Sequence, residues 1–567
     1  MTLEERRTAQ VGDRQLPFGL SRATIAPTIE PADPGPAADA MQTAATPATT
    51  NERHKREKKK VKEDKKRNRI KKDWSETLGS SGTTGLGEFP ATFTATPGST
   101  SCASDFTVFN SGLAGTSGQA SIIAFNNLYS TCNGGTPTVY WAYNTGGTIV
   151  NSIVLSINGS QLAFVQSNSG GVASLVLLTW RASNGTLTAP VSPTSVTAGS
   201  YNGCTAPCMT TLTLSGSPSD SYSSPYVAFA NGGSPATAYV GDDVGNLHKF
   251  VNIFASGSST PAEAASPWPV SVNSKASLAT PVYDAVSTNV FVGDYLLTSS
   301  SACEPSATNT NNPCGYLYSV NSSGMVTSSA QLDYNMGILD GPIVDSTAGE
   351  VYVFAGDDGS TNCATSTPCA AVYQFPVNFS AGDSGTKATV GPGYEFLLSG
   401  TFDNAYFTSS THTGHLYVVG NTGPANNALY QISINSNVMS TSSTAGPQLS
   451  SNYTNGYYSA GLQVTEIDSA SNDYIFLSVL SYGYPSACGT ATLGNGCVIG
   501  YNVNSGAISA STTPTGATAE AGGTSGIVVD SATSGAQNIY FSTLLNQTCT
   551  TSGGTGGCAI QVSQSVP

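Results

Sequence analysis

A chain of 567 residues with 10% charged side chains and 61 glycines is not built from helices, because Lys, Glu and Arg are nearly missing from its body. The net charge of −14 hides two unlike parts: residues 1–73 hold 17 Lys and Arg against 11 Asp and Glu, and the remainder holds 4 against 24. An acidic body whose only cations are Arg181, Lys249, Lys275 and Lys387 has no basic stripe for a phosphate backbone, so its composition argues against nucleic-acid binding by the folded part.

Residues 1–53 are rich in Pro, Ala and Thr and lack a hydrophobic period, which predicts a disordered tail over 1–73. Within it the run 54–72 holds 12 of the chain's 21 Lys and Arg. Such a run can contact an anionic membrane or another polyanion, serve as a nuclear address, or act as a solvated linker. Val61 and Ile70 are its only apolar residues, too few for an amphipathic membrane helix. Met1–Arg7 offers no apolar core for a signal peptide, and no apolar run approaches the roughly 18 residues of a membrane span. With the twelve cysteines that favour an oxidising compartment, this leaves three readings: export by another route, a true N-terminus other than Met1, or reduced cysteines, and a different start is the one favoured.

Residues 74–137 read as an extension with two strands, Asp105–Phe109 and Ala120–Phe125, packing on a larger unit over 138–567. In that unit an aromatic-centred strand recurs around Phe164, Tyr239, Phe291, Tyr352, Tyr417, Phe476 and Tyr540. A short apolar strand and an Asp-containing turn precede most of these strands, as at Asp284, Asp345, Asp468 and Asp530. A strand such as Ala371–Phe375 or Ala428–Ile432 follows, and a variable fourth strand completes each unit. Tyr and β-branched residues suit half-buried pleats. A four-stranded sheet cannot bury both faces alone, so units of about 60 residues pack radially. The expected fold is all-β, a seven-bladed β-propeller of four-stranded blades, with eight blades as the alternative. Thr138–Tyr143 is expected to complete the last sheet and close the ring.

Tyr140–Leu155 followed by Gly159–Phe164 resembles the outer-to-inner strand junction of quinoprotein-like (PQQ-like) propeller repeats, and Tyr239–Phe250 resembles their B-turn-C part. The resemblance spans most of 138–565 but is a repeat-level pattern, which implies a fold and little about function. The dehydrogenases of that group need a Trp-rich set of blades, a calcium site and a catalytic Asp. This chain has Trp74, Trp141, Trp180 and Trp268 alone and no vicinal cysteines, which argues against a quinone cofactor.

Twelve cysteines lie beyond the tail with no CxxC spacing, so disulfides are favoured over a metal site. Five pairs are close in sequence: Cys204/Cys208, Cys303/Cys314, Cys363/Cys369, Cys488/Cys497 and Cys549/Cys558. Cys102/Cys132 remains by elimination. Four of these pairs fall between strands B and C of their units and should staple loops on one face. The folded part is therefore expected outside the cytoplasm, secreted or at the cell surface.

Asp242, Asp243, Asp294, Asp357 and Asp358 follow strand B in three successive units. They could hold Ca²⁺, which wants several oxygen ligands, or serve as turn formers. His412 and His415 are spaced i, i+3 at a hairpin turn, better suited to a solvated turn than to zinc. Tyr453, Tyr457, Tyr458, Tyr482 and Tyr484 could stack on a sugar or a protein partner. No GxSxG, Walker or HExxH motif occurs. The functional expectation is a non-enzymatic binding or scaffold propeller, monomeric, using its stapled face for a protein or glycan. The alternatives are a carbohydrate-active hydrolase or lyase with carboxylates near the channel, and a self-associating surface or adhesion protein. No catalytic residue can be named, and calcium is the one cofactor the pattern admits.

Overall fold

The computed structural model describes residues 70–564 apart from short segments, the longest being 297–302, 304–313, 451–464, 481–487 and 489–494. The basic run up to residue 69 and the five tyrosines at 453, 457, 458, 482 and 484 lie outside the described residues. The strands form eight sheets, four-stranded in blades 1 and 5–8 and five-stranded in blades 2–4, antiparallel except where Thr194–Ser195 joins Cys208–Thr213 in parallel, and they make an eight-bladed propeller. In blades 1–7 the chain runs A, B, C, D from the channel outward, and in blade 8 its last strands supply A, B and C. The B strands of blades 1 to 8 are Phe106–Asn110, Gln161–Ser167, Ala236–Gly241, Val290–Tyr295, Glu350–Ala355, Gly414–Gly423, Asn472–Val479 and Ala536–Ser542.

The blade count corrects the expectation of seven. The segment read as an extension is a blade in its own right: Ala91–Phe93, Phe106–Asn110 and Ile122–Asn126 pair in order with Thr138–Tyr143. Thr138–Tyr143 is thus the outer strand of blade 1 and does not close the ring. Closure falls to Ile70–Thr77, which pairs antiparallel with Cys558–Gln564 and supplies the D strand of blade 8. The strand begins inside the basic run, so Lys71 and Lys72 belong to a sheet. Lys72 reaches across to blade 7, where its Nζ lies 2.7 Å from Glu520 Oε1, and Gln547 donates to the same carboxylate. Joining the two described ends of the chain in one sheet gives blade 8 its fourth strand and closes the ring.

Period-2 alternation explains why these strands read as continuous apolar runs. In blade 5, Val351, Val353 and Ala355 pack toward blade 4, while Tyr352 and Phe354 pack toward blade 6. In blade 6, Leu416 and Val418 turn back to blade 5, and Tyr417 and Val419 forward to blade 7. Apolar clusters of this kind join every neighbouring pair of blades. The last of them sets Trp74 and Tyr540 of blade 8 against Phe109 and Phe125 of blade 1. Both faces of each sheet are therefore buried.

A cross-strand pair of Tyr on strand B and Gln on strand C recurs in blades 5, 6 and 8, as Tyr352 with Gln374, Tyr417 with Gln431 and Tyr540 with Gln561. Each Gln Nε2 donates to the partner hydroxyl, at 3.2, 2.8 and 2.8 Å. In blades 5 and 6 the same amide also donates to a carbonyl of the next blade, Asn437 or Gly506, at 2.7 Å. A buried phenol is satisfied and adjacent blades are tied by one side chain. Around the channel the links are shorter. The Phe89 N–H donates to Ser152 Oγ, Ser152 to Ser224 Oγ, and Ser224 to Thr280 Oγ1. Pro90, Pro225, Pro281 and Pro342 open innermost strands, where a missing N–H costs the sheet nothing.

Candidate functional site

Because the strands alternate in direction, the B–C and D–A connections emerge on one face of the propeller and the A–B and C–D connections on the other. Six disulfides occur, and four of them, Cys303–Cys314, Cys363–Cys369, Cys488–Cys497 and Cys549–Cys558, lie in the B–C connections of blades 4, 5, 7 and 8. Cys102–Cys132 joins the A–B and C–D connections of blade 1, and Cys204–Cys208 lies in the C–D connection of blade 2, both on the opposite face. The stapled face is the one that also carries the repeated aspartates.

Those aspartates do not converge, and most are engaged in their own blades. Asp242 Oδ1 accepts the backbone N–H groups of Val244 and Asn246, and its Oδ2 accepts from Asn246 Nδ2 and lies 3.2 Å from His248 Nε2. Asp294, fully buried, accepts from the Tyr316 N–H, Asn273 Nδ2 and the Tyr318 hydroxyl. Burial pushes its carboxyl up to about 6 despite those bonds. Asp357 Oδ1 accepts from the Gly359 N–H. Asp358 accepts from Ser360 and Cys369 and forms an ion pair with Lys387 at 2.8 Å. Burial opposes its charge, but the Lys387 bond and the backbone donors outweigh that and hold its pKa down. Among the described residues no group of three or more His, Cys, Asp or Glu side chains is placed to hold a metal ion.

Asp243 is different. Its Oδ1 is buried without a hydrogen-bond partner, and no ion pair reaches it among the described residues. Its backbone N–H donates to the Asp220 carbonyl at 3.1 Å, and the Tyr222 N–H donates to its carboxylate. Asp220, on the D–A connection into blade 3, accepts at Oδ1 from Ser167 Oγ and the Ser221 N–H. Ser277 Oγ donates to the Asp243 carbonyl, and Ser277 pairs in register with Tyr295 at the end of strand B in blade 4. The Tyr295 hydroxyl is also buried without a partner. Burial, then the charges of Asp220 and Asp242, push the Asp243 carboxyl up to about 7. Blades 2, 3 and 4 thus bring Asp220, Tyr222, Asp243 and Tyr295 together on the stapled face. Only Asp243 of these was singled out by the sequence; Asp220 and Tyr222 lie on the connection into its own blade and Tyr295 in the next, and no motif links them.

The histidines are held apart. His248 is fully buried, with Nδ1 2.6 Å from Glu263 Oε1 on the outer edge of blade 3 and Nε2 facing Asp242. Burial disfavours its proton, but the two carboxylates outweigh that and raise its pKa. His415 Nδ1 lies 2.6 Å from Asp403 Oδ2, whose other oxygen caps the short helix Asn404–Thr408. His412 turns instead toward Asp345 and Tyr406, with Nε2 3.9 Å from Asp345 Oδ2. The two turn histidines therefore serve different carboxylates and do not share a site.

No family model matches the chain, and no curated protein matches it. Among solved structures, the Dos1 propeller aligns at 10% identity and a TM-score of 0.44 over 87% of this chain and 95% of that one. A prolyl endopeptidase aligns at 10% identity and a TM-score of 0.38 over 82% of this chain, which spans 54% of that protein's length. Raptor from Chaetomium thermophilum aligns at 7% identity and a TM-score of 0.37 over 72% of this chain and 27% of its own. These are distant likenesses, and no ligand or activity comes to this chain from them.

Proposed function

We propose that the protein is a non-enzymatic, extracytoplasmic binding or scaffold propeller that takes a protein or glycan ligand on its stapled face. The observation that carries this reading is the placement of four disulfides in B–C connections of one face. Loops fixed before binding lose less conformational entropy when a ligand orders them. Six disulfides with no free cysteine fit an oxidising compartment. The resemblance to quinoprotein-like repeats supports the repeat architecture and adds no cofactor. The hydrolase alternative gains little from the inner ring, whose carboxylates Glu88 and Asp340 are buried, with Asp340 accepting from the Gly341 and Ser399 N–H groups.

The test is a glycan-array and surface-protein screen on the full chain with its disulfides intact, repeated with Cys363→Ser/Cys369→Ser. A ligand of this face should bind the variant about tenfold more weakly as loop ordering is charged to binding. Unchanged affinity for every ligand found would move the binding surface elsewhere.

A further inference from the structure

We propose that Asp220, Tyr222, Asp243 and Tyr295 form a subsite on the stapled face that receives a primary ammonium group of the ligand. This deepens the binding reading above and rests on it.

The donor and acceptor count selects the chemistry. A primary ammonium presents three N–H donors and no acceptor. The cluster offers three unengaged acceptors: Asp243 Oδ1 and the Tyr295 hydroxyl oxygen, both buried without a partner, and Asp220 Oδ2, which accepts no hydrogen bond from the described residues. Buried polar atoms in folded proteins are nearly always paired, so two orphans beside two carboxylates mark a place where a donor is wanted. Tyr295 is 1% exposed, whereas Asp220, Tyr222 and Asp243 are half-buried, so the cluster lies where the core meets the surface. Ammonium groups are also drawn to the faces of tyrosine rings, and two are present.

A calcium ion fits less well. It takes about six to eight oxygens, and this site supplies two carboxylates, since the Asp242 oxygens are engaged by Val244, Asn246 and His248. Among the described residues no cation of the chain fills the place. Lys387 pairs with Asp358, Lys249 lies over Tyr239 and Trp268, and no ion pair to Asp220 or Asp243 occurs among the described residues. Both ligand classes proposed for the face can carry the group, a protein as a lysine side chain and a glycan as an amino sugar.

Calorimetry on the full chain with intact disulfides tests this. The probes are a short lysine-containing peptide and a glucosamine trimer, each beside its N-acetylated counterpart, with calcium chloride as a separate titrant. At least one free amine should bind, and its acetylated form should bind at least about tenfold more weakly, because the charge and two donors are lost. Which probe binds separates the protein source from the glycan source. Asp243→Asn should weaken binding about tenfold, and Tyr295→Phe severalfold, with unchanged melting temperature as the folding control. Affinity for the lysine peptide, whose ammonium stays charged over this range, should also rise between pH 5.5 and 8 as Asp243 ionises. The groups facing Asp243 are Asp220, Asp242, Tyr222 and Tyr295; burial opposes the Asp242 charge but its bonds to His248 and Asn246 hold its pKa down, and burial raises both phenols.

Equal binding of amine and amide, wild-type affinity in both variants, no amine binding at all, or displacement of the amine by calcium would each overturn the subsite. The parent reading fails separately. Cys363→Ser/Cys369→Ser leaves Asp243 in place, so a loop-dependent ligand indifferent to Asp243→Asn keeps the face and removes the subsite alone.

Discussion

A buried imidazole with a carboxylate on each nitrogen holds its proton to higher pH than a free one, and His248 is in that position between Asp242 and Glu263. Its folded-state pKa lies above the ordinary 6.5, so its contribution to stability is full below that value and fades as pH rises through the folded pKa. Asp242 and Glu263 have lowered pKa values, since the His248 bonds outweigh burial, and their contributions are lost as pH falls. His248→Leu leaves two carboxylates at a low-exposure site without a cation. It should cost about 3 kcal/mol near pH 6, and the difference from wild type should shrink toward pH 9. Thermal melts across that range check this; a pH-independent difference would mean that the imidazole is neutral in the fold. At the same scale, Gly245 adopts a φ of +81°, and a Cβ there would run into the Asn273 carbonyl, so the Asp-Asp-Val-Gly turn requires glycine.

At the scale of elements, the blade is a hairpin pair whose strands B and C carry the core, and in blades 4, 5, 7 and 8 the B–C connection carries a staple. Cys549 and Cys558 are 9 residues apart, and their bridge lies beside the short ladder that pairs Gln547–Thr548 with Thr555–Gly556. Closing a loop of that size restricts the unfolded chain by about 2–3 kcal/mol in the loop-closure model. Cys549→Ser/Cys558→Ser should lower the denaturation midpoint by that equivalent while the fold stays intact. A loss near zero would show that the hairpin holds the connection alone. The Tyr–Gln pairs belong to this scale too. They were visible in the sequence only as a repeated Tyr-Gln in Val372–Phe375 and Leu429–Ile432, because the hydroxyl partner sits on another strand.

For the whole molecule the decisive contact is between the two described ends of the chain. Trp74, 1% exposed, packs on Tyr540 and Phe125, so the closing strand fills the junction of blades 8 and 1. A chain starting at Ile70 should melt as the full chain does. One starting at Gly79 should lose the outer strand of blade 8, expose the edge of Cys558–Gln564 and leave Glu520 buried without Lys72. It should elute as aggregate or melt well below the full chain in size-exclusion and thermal experiments. Equal behaviour of the two truncations would show that the ring holds without its closing strand.

Period, composition and cysteine proximity were enough to indicate an all-β propeller with stapled B–C connections, because each is a local property of 10–60 residues of chain. Blade 1 was partly legible: Phe106–Asn110 has the aromatic-centred pattern of the other B strands, but its A strand, Ala91–Phe93, is only three residues long and leaves the repeat without a clear start. The closing strand was not legible. Ile70–Thr77 looks like the end of a charged tail, and only its pairing with Cys558–Gln564, almost 500 residues away, makes it a strand. The cluster of Asp220, Tyr222, Asp243 and Tyr295 was hidden for the same reason. Three blades must be packed side by side before those residues meet, and the burial that leaves Asp243 and Tyr295 without partners exists only in the assembled ring.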